Sequence, residues 1–115
     1  MAKNRASMLT VAQMFRLNAA CKELTETFDG RPPYLVGSAL TDRDYRDVDV
    51  RMMLDDDLFA SMFGNPRWLA LANAAMSEWL VQSTGLPIDF QFQDTTKANA
   101  ENSGGRNPVG YTRGR

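Results

Sequence analysis

The chain has 115 residues, of which 43% are hydrophobic and 23% charged, and its formal net charge is −1. That is the size and composition of one globular domain, and the near-neutral balance excludes wholesale electrostatic capture of nucleic acid. Histidine is absent and Cys21 is the single cysteine, which excludes intrachain disulfides, His-assisted Ser or Cys catalysis and the common zinc sites. Chemistry is left to carboxylates, hydroxyls, Lys, Arg, Tyr and backbone amides. No run of about 18 apolar residues is present, and the opening MAKNRASMLTVAQMF lacks an uninterrupted apolar core. A cytoplasmic chain with no membrane span and no signal peptide is therefore expected.

Thr10 with Gln13 fits a capping box. Val11, Met14, Leu17, Cys21, Leu24 and Phe28 then recur at spacings of three and four. This predicts a helix with one apolar face that ends near Gly30, and it places Cys21 in the core. Arg31-Pro32-Pro33 stops it and forces extended backbone. Tyr34-Leu35-Val36 before Gly37 reads as a short buried strand. DVDVRMML, residues 47–54, alternates and reads as a second strand whose last residues are apolar on both faces. DDDLFASMFG predicts a short helix with Asp55, Asp56 and Asp57 at its positive end.

Asn65-Pro66 opens a further helix, with Asn as cap and Pro in the first turn. Its apolar face runs through Trp68, Leu71, Ala72, Ala75, Met76, Trp79 and Leu80 up to Gly85, so both tryptophans are expected in the core. LPIDFQFQ alternates, with Ile88, Phe90 and Phe92 on one side and Asp89, Gln91 and Gln93 on the other. The order predicts an α+β domain over residues 1–93, with a small mixed sheet and helices packed mainly on one face. Residues 94–115 carry four basic and two acidic side chains among Thr, Asn and Gly, and are expected to form a loosely ordered tail.

Seven aspartates and three arginines fall between residues 41 and 57. In a strand, residues i and i+2 share a face, so Asp47 and Asp49 project together while Val48 and Val50 point inward. Two carboxylates that close repel one another, and a divalent cation with a taste for oxygen, Mg²⁺ or Mn²⁺, removes the conflict. Asp89 joins the cluster if its strand pairs beside the first. Upstream, Gly37-Ser38 gives the backbone close access to a phosphate, and a helical turn in the following residues would add free amides.

At these residues the sequence resembles the nucleotidyltransferase superfamily typified by DNA polymerase beta, in particular its minimal stand-alone members. The matching pattern is Val36-Gly37-Ser38, eight residues, Asp47-Val48-Asp49-Val50, and later Ile88-Asp89-Phe90, across roughly residues 8–93. The resemblance implies that Gly37 and Ser38 hold a nucleoside triphosphate. It implies that Asp47 and Asp49 ligate Mg²⁺ (or Mn²⁺), and that Asp89 completes a second metal site and helps deprotonate the acceptor. The implied reaction moves a nucleoside monophosphate to an acceptor hydroxyl and releases pyrophosphate. The acceptor is left open among protein, nucleic acid and small molecule, and either a homodimer or a separate partner protein is compatible with so short a chain.

Other readings stand beside this one. The fold would also serve a catalytically silent nucleotide- or partner-binding module, such as one component of a toxin–antitoxin pair. Asp47 and Asp49 would pair with Arg46 and Arg51 if they were merely surface residues. Arg43 and Arg46 are expected as solvated loop charges. Lys97, Arg106, Arg113 and Arg115 are expected in a solvated tail rather than a nucleic-acid surface.

Overall fold

A computed structural model describes residues 7–102 and 104–110. Helix α1 spans Val11–Thr27, and its capping box forms: the Gln13 amide donates to Thr10 Oγ1 at 3.1 Å and the Thr10 amide to Gln13 Oε1 at 2.8 Å. Two of the orphan donors at the helix start are thereby satisfied. Strand β1 (Tyr34–Val36) runs into a short 3-10 helix, Gly37–Leu40, and β2 spans Val48–Leu54. Helix α2 (Asp56–Met62) and helix α3 (Pro66–Thr84) follow. Asn65 caps α3 by accepting from the Arg67 amide at 2.9 Å, and Gly85 ends it. Strand β3 is Ile88–Asp94, α4 is Thr95–Glu101 and β4 is Asn107–Pro108.

The fold is α+β, with a mixed four-stranded sheet in the order β3-β2-β1-β4. β1 pairs antiparallel with β2 and with β4, whereas β3 pairs parallel to β2. A parallel neighbour needs a long crossover, which α2 and α3 supply. Strand alternation decides the two faces. Val48, Val50, Met52 and Leu54 are fully buried on one of them, with Leu35, Phe90, Leu17, Cys21 and Leu80 in the same cluster. α1 and α3, the two long helices, cover that face. Cys21 is buried as expected, and burial pushes its thiol up to about 12, so it is an inert core group.

α3 also closes the outer edge of β3. The Phe90 amide donates to Ser77 Oγ at 2.8 Å and the Phe92 amide to Asn73 Oδ1 at 2.9 Å. Four helical residues rise about 6 Å and two strand residues about 6.6 Å, so one helix face matches consecutive outward amides of the strand. Part of the apolar stripe of α3 stays exposed: Trp68 is 48% and Leu71 63% exposed. Trp79 stays 38% exposed, so neither tryptophan is the core residue that helical spacing predicts.

The second sheet face carries Tyr34, Val36, Asp49, Arg51, Met53, Asp89, Gln91 and Gln93. α4 packs on part of it, burying Ala98 against Val36 and Met53. The stretch after Asp94 is thus not a loose tail where it is described. Asp94 caps α4 through the Lys97 amide at 2.6 Å, and Thr95 Oγ1 donates to Leu54 O at 2.9 Å. Thr96 Oγ1 donates to Asp56 at 2.6 Å. Val109 is fully buried, and the Gly110 amide donates to Asn18 Oδ1 at 2.8 Å. Arg106 lies 5.7 Å from the Tyr34 ring centroid and donates to Asn99 Oδ1 at 3.0 Å. Polar side chains bonded to distant backbone do what apolar periodicity does elsewhere. Arg113 and Arg115 lie outside the described residues.

No helix among the described residues is long and apolar enough to cross a membrane.

Candidate functional site

Strand register assembles the site. β1 and β2 pair so that Val36 lies opposite Asp49, and β2 and β3 pair so that Asp49 lies opposite Asp89. Gly37 follows Val36 with φ +78, a left-handed conformation that turns the chain across the end of β2. A Cβ at Gly37 would fall on Oδ2 of Asp49, with Cγ only 3.3 Å away. Glycine is therefore what lets the turn approach the carboxylate. Gly37 and Ser38 are both exposed, and the Ser38 carbonyl accepts the Asp42 amide at 2.7 Å, which holds the turn.

Asp47 precedes β2 and is exposed. Asp49 is mostly covered, with 23% of its side chain accessible, and Asp89 is half-exposed. Burial pushes the Asp49 carboxyl above its ordinary value; Arg51 opposes this, and the charges of Asp89 and Asp47 add to it. Asp47 and Asp89, both named from the sequence, thus both act on Asp49.

Arg51 is the residue that sequence reading placed only as a surface partner. Its side chain is 11% exposed, with Nη2 3.8 Å from Asp49 Oδ1 and 3.6 Å from Asp89 Oδ2. Nη1 donates to the carbonyl of Asp89 at 2.7 Å and to that of Val50 at 3.2 Å. The rule that pairs Asp47 with Asp49 also puts Arg51, two residues on, on the same face. The positive partner expected from outside the chain is thus supplied in part from within it.

The donor set can be tested against a metal. Among the described residues, no three of the His, Cys, Asp and Glu side chains gather closely enough to hold an ion. A cage of Asp47, Asp49 and Asp89 holding two ions does not fit, because Arg51 stands between two of its members. Asp47 and Asp49 match in number and type what a single Mg²⁺ commonly takes, the rest of its shell being phosphate oxygens and water. Three carboxylates against one guanidinium leave two negative charges unmatched, and the Gly37 turn opens beside them.

A cavity of about 260 Å³ adjoins the turn, lined by Gly37, Leu40, Thr41, Glu101, Asn102 and Gly105 among others. Its far wall comes from α4 and the segment after it, which composition alone had read as solvated. Asp55, Asp56 and Asp57 lie elsewhere, at the opposite end of β2. Asp55 pairs with Arg31 at 3.2 Å and Asp56 is bonded to Thr96. Arg43 and Arg46 are exposed in the loop before β2.

No family model, curated protein or solved structure matches the chain.

Proposed function

We propose that the chain is a metal-dependent nucleotidyltransferase, which moves a nucleoside monophosphate from a triphosphate to an acceptor hydroxyl. The observation that carries this reading is the row formed by Val36, Asp49 and Asp89 across three adjacent strands, with Gly37 turning directly against the Asp49 carboxylate. Gly37 and Ser38 present backbone amides and a hydroxyl to the triphosphate. Asp47 and Asp49 hold the cation that arrives with it. Mg²⁺ or Mn²⁺, when bound, neutralises phosphate charge. Asp89 accepts a hydrogen bond from the acceptor hydroxyl and takes its proton as the new P–O bond forms at the α-phosphorus and pyrophosphate leaves. The protein's share is positioning and charge, with no covalent step of its own. The cavity beside Gly37 suits the nucleoside half, with Thr41, Glu101 and Asn102 as its polar wall.

A second reading is favoured by Arg51. Because it already compensates part of the carboxylate charge, the same surface suits a module that binds nucleotide or a partner protein without turnover.

Calorimetric titration of ATP, GTP, CTP and UTP, with and without Mg²⁺, tests the first reading on wild type and on Asp47→Asn/Asp49→Asn. Metal-dependent binding lost in the double variant, with the circular-dichroism spectrum unchanged, is expected. Binding that ignores the metal and survives the double substitution would sink it. Pyrophosphate release with an acceptor then separates enzyme from silent module.

A further inference from the structure

We propose that Arg51 stands in for a second metal ion, so that this chain works with one divalent cation and one built-in guanidinium. The inference rests on the nucleotidyltransferase reading and specifies its cofactor stoichiometry. Two-ion phosphoryl transfer needs ions about 3.5–4 Å apart, held by carboxylates that reach both. Asp49 is the only acid here in register with Asp89. The space their facing oxygens enclose is where an inner ion would sit. Arg51 Nη2 is already there, within 3.8 Å of one carboxylate and 3.6 Å of the other.

The guanidinium is not a loose surface group that a metal would displace. Its bonds to the Asp89 and Val50 carbonyls, at 2.7 and 3.2 Å, fix it to the backbone of both strands. With 11% of the side chain exposed, it has little room to swing outward. Its charge is permanent, because guanidinium does not lose a proton in proteins. A second cation brought between Asp49 and Asp89 would meet a like charge at close range, on a side chain that is itself largely withdrawn from water.

The consequences divide the three carboxylates. Asp47 and Oδ2 of Asp49, the oxygen beside the Gly37 turn, serve the metal, while Asp89 is released from ligation and free to face the acceptor. Arg51 is thus a positioning residue: it orients Asp49 and Asp89 and touches neither substrate nor metal.

Counting bound Mn²⁺ tests this. Equilibrium dialysis and electron paramagnetic resonance would be run with inorganic tripolyphosphate, the portion of any nucleoside triphosphate that the metal contacts. Wild type should bind one Mn²⁺ per chain, with no spin coupling between neighbouring ions. Arg51→Met should bind a second, weaker ion and develop the coupled signal, and adding Asp89→Asn should abolish it. In the wild-type background Asp89→Asn should leave Mn²⁺ affinity within about twofold, a readout that remains if Arg51→Met fails to fold. Two ions on wild type, or a tenfold loss of affinity in Asp89→Asn, would overturn the inference while leaving the proposed function standing. A folded Arg51→Met that still holds one uncoupled ion would overturn it equally. No Mn²⁺ on wild type would overturn the proposed function, and this inference with it.

Discussion

A methyl group on Gly37 would take the place that the carboxylate of Asp49 now holds. The turn after β1 passes so close to β2 that an ideal Cβ would land on Oδ2, 3.3 Å from Cγ. Positive φ adds a second objection to any larger residue. Gly37→Ala should therefore cost about 2–3 kcal/mol of stability and displace Asp49. Denaturant unfolding measures the first effect. The second predicts loss of metal-dependent nucleotide binding even under conditions where the variant remains folded.

Asp49 makes the fold pay for its site, and pH exposes the cost. A carboxyl raised above its ordinary value binds protons more tightly folded than unfolded, so stability falls as pH rises from the ordinary carboxylate range through the raised value. Asp49→Asn should be more stable than wild type near neutrality, by on the order of 1 kcal/mol, with the gain fading in acid. Thermal unfolding across pH 3–8 checks it (a range set by the ordinary carboxylate value). A gain that persists undiminished at the acid end would refute the burial argument.

Asp56 behaves in the opposite sense. The Thr96 hydroxyl and amide hold its carboxyl below the ordinary value, so its contribution is present above the ordinary range and lost as pH falls through the lowered one. Asp56→Asn should flatten the acid limb of the stability curve. It should also speed amide exchange at Thr96 and along α4, which hydrogen exchange with mass spectrometry would register.

Gly110 tests whether the segment after α4 belongs to the folded unit. It has φ +73, and an added Cβ would lie 2.5 Å from the backbone carbon and oxygen of Cys21. Helix backbone in the middle of α1 cannot move aside cheaply. Gly110→Ala should destabilise the whole domain by about 2–4 kcal/mol and shift a single cooperative transition. A substitution without effect would mean that this segment docks independently of the core.

The two long helices were legible because their caps and periods are local: Thr10 with Gln13, and Asn65 with Pro66. Strands β2 and β3 were legible by alternation. Register was not, since the pairing of Asp49 with Asp89 depends on which strands α2 and α3 bring together. Arg51 was in plain view, two residues from Asp49, but a charge beside a charge reads as a surface pair until burial is known. The tail escaped because its order comes from bonds such as Thr95 to Leu54 and Gly110 to Asn18, between residues far apart in sequence. Trp68 and Trp79 lie on a helical stripe wider than the sheet beneath it.

Asn73 and Ser77 leave one further consequence. By taking up the outward amides of Phe92 and Phe90, they remove the donors that a foreign strand would need to extend the sheet at β3. At the other edge, β4 is two residues long, and Pro108 has no amide hydrogen to offer. Among the described residues, both sheet edges are thus poor templates for strand exchange or fibre-like stacking. Association with a second copy or another protein is left, among the described residues, to side-chain surfaces, where Val11 and Phe15 on α1 and Trp68 and Leu71 on α3 are exposed apolar groups.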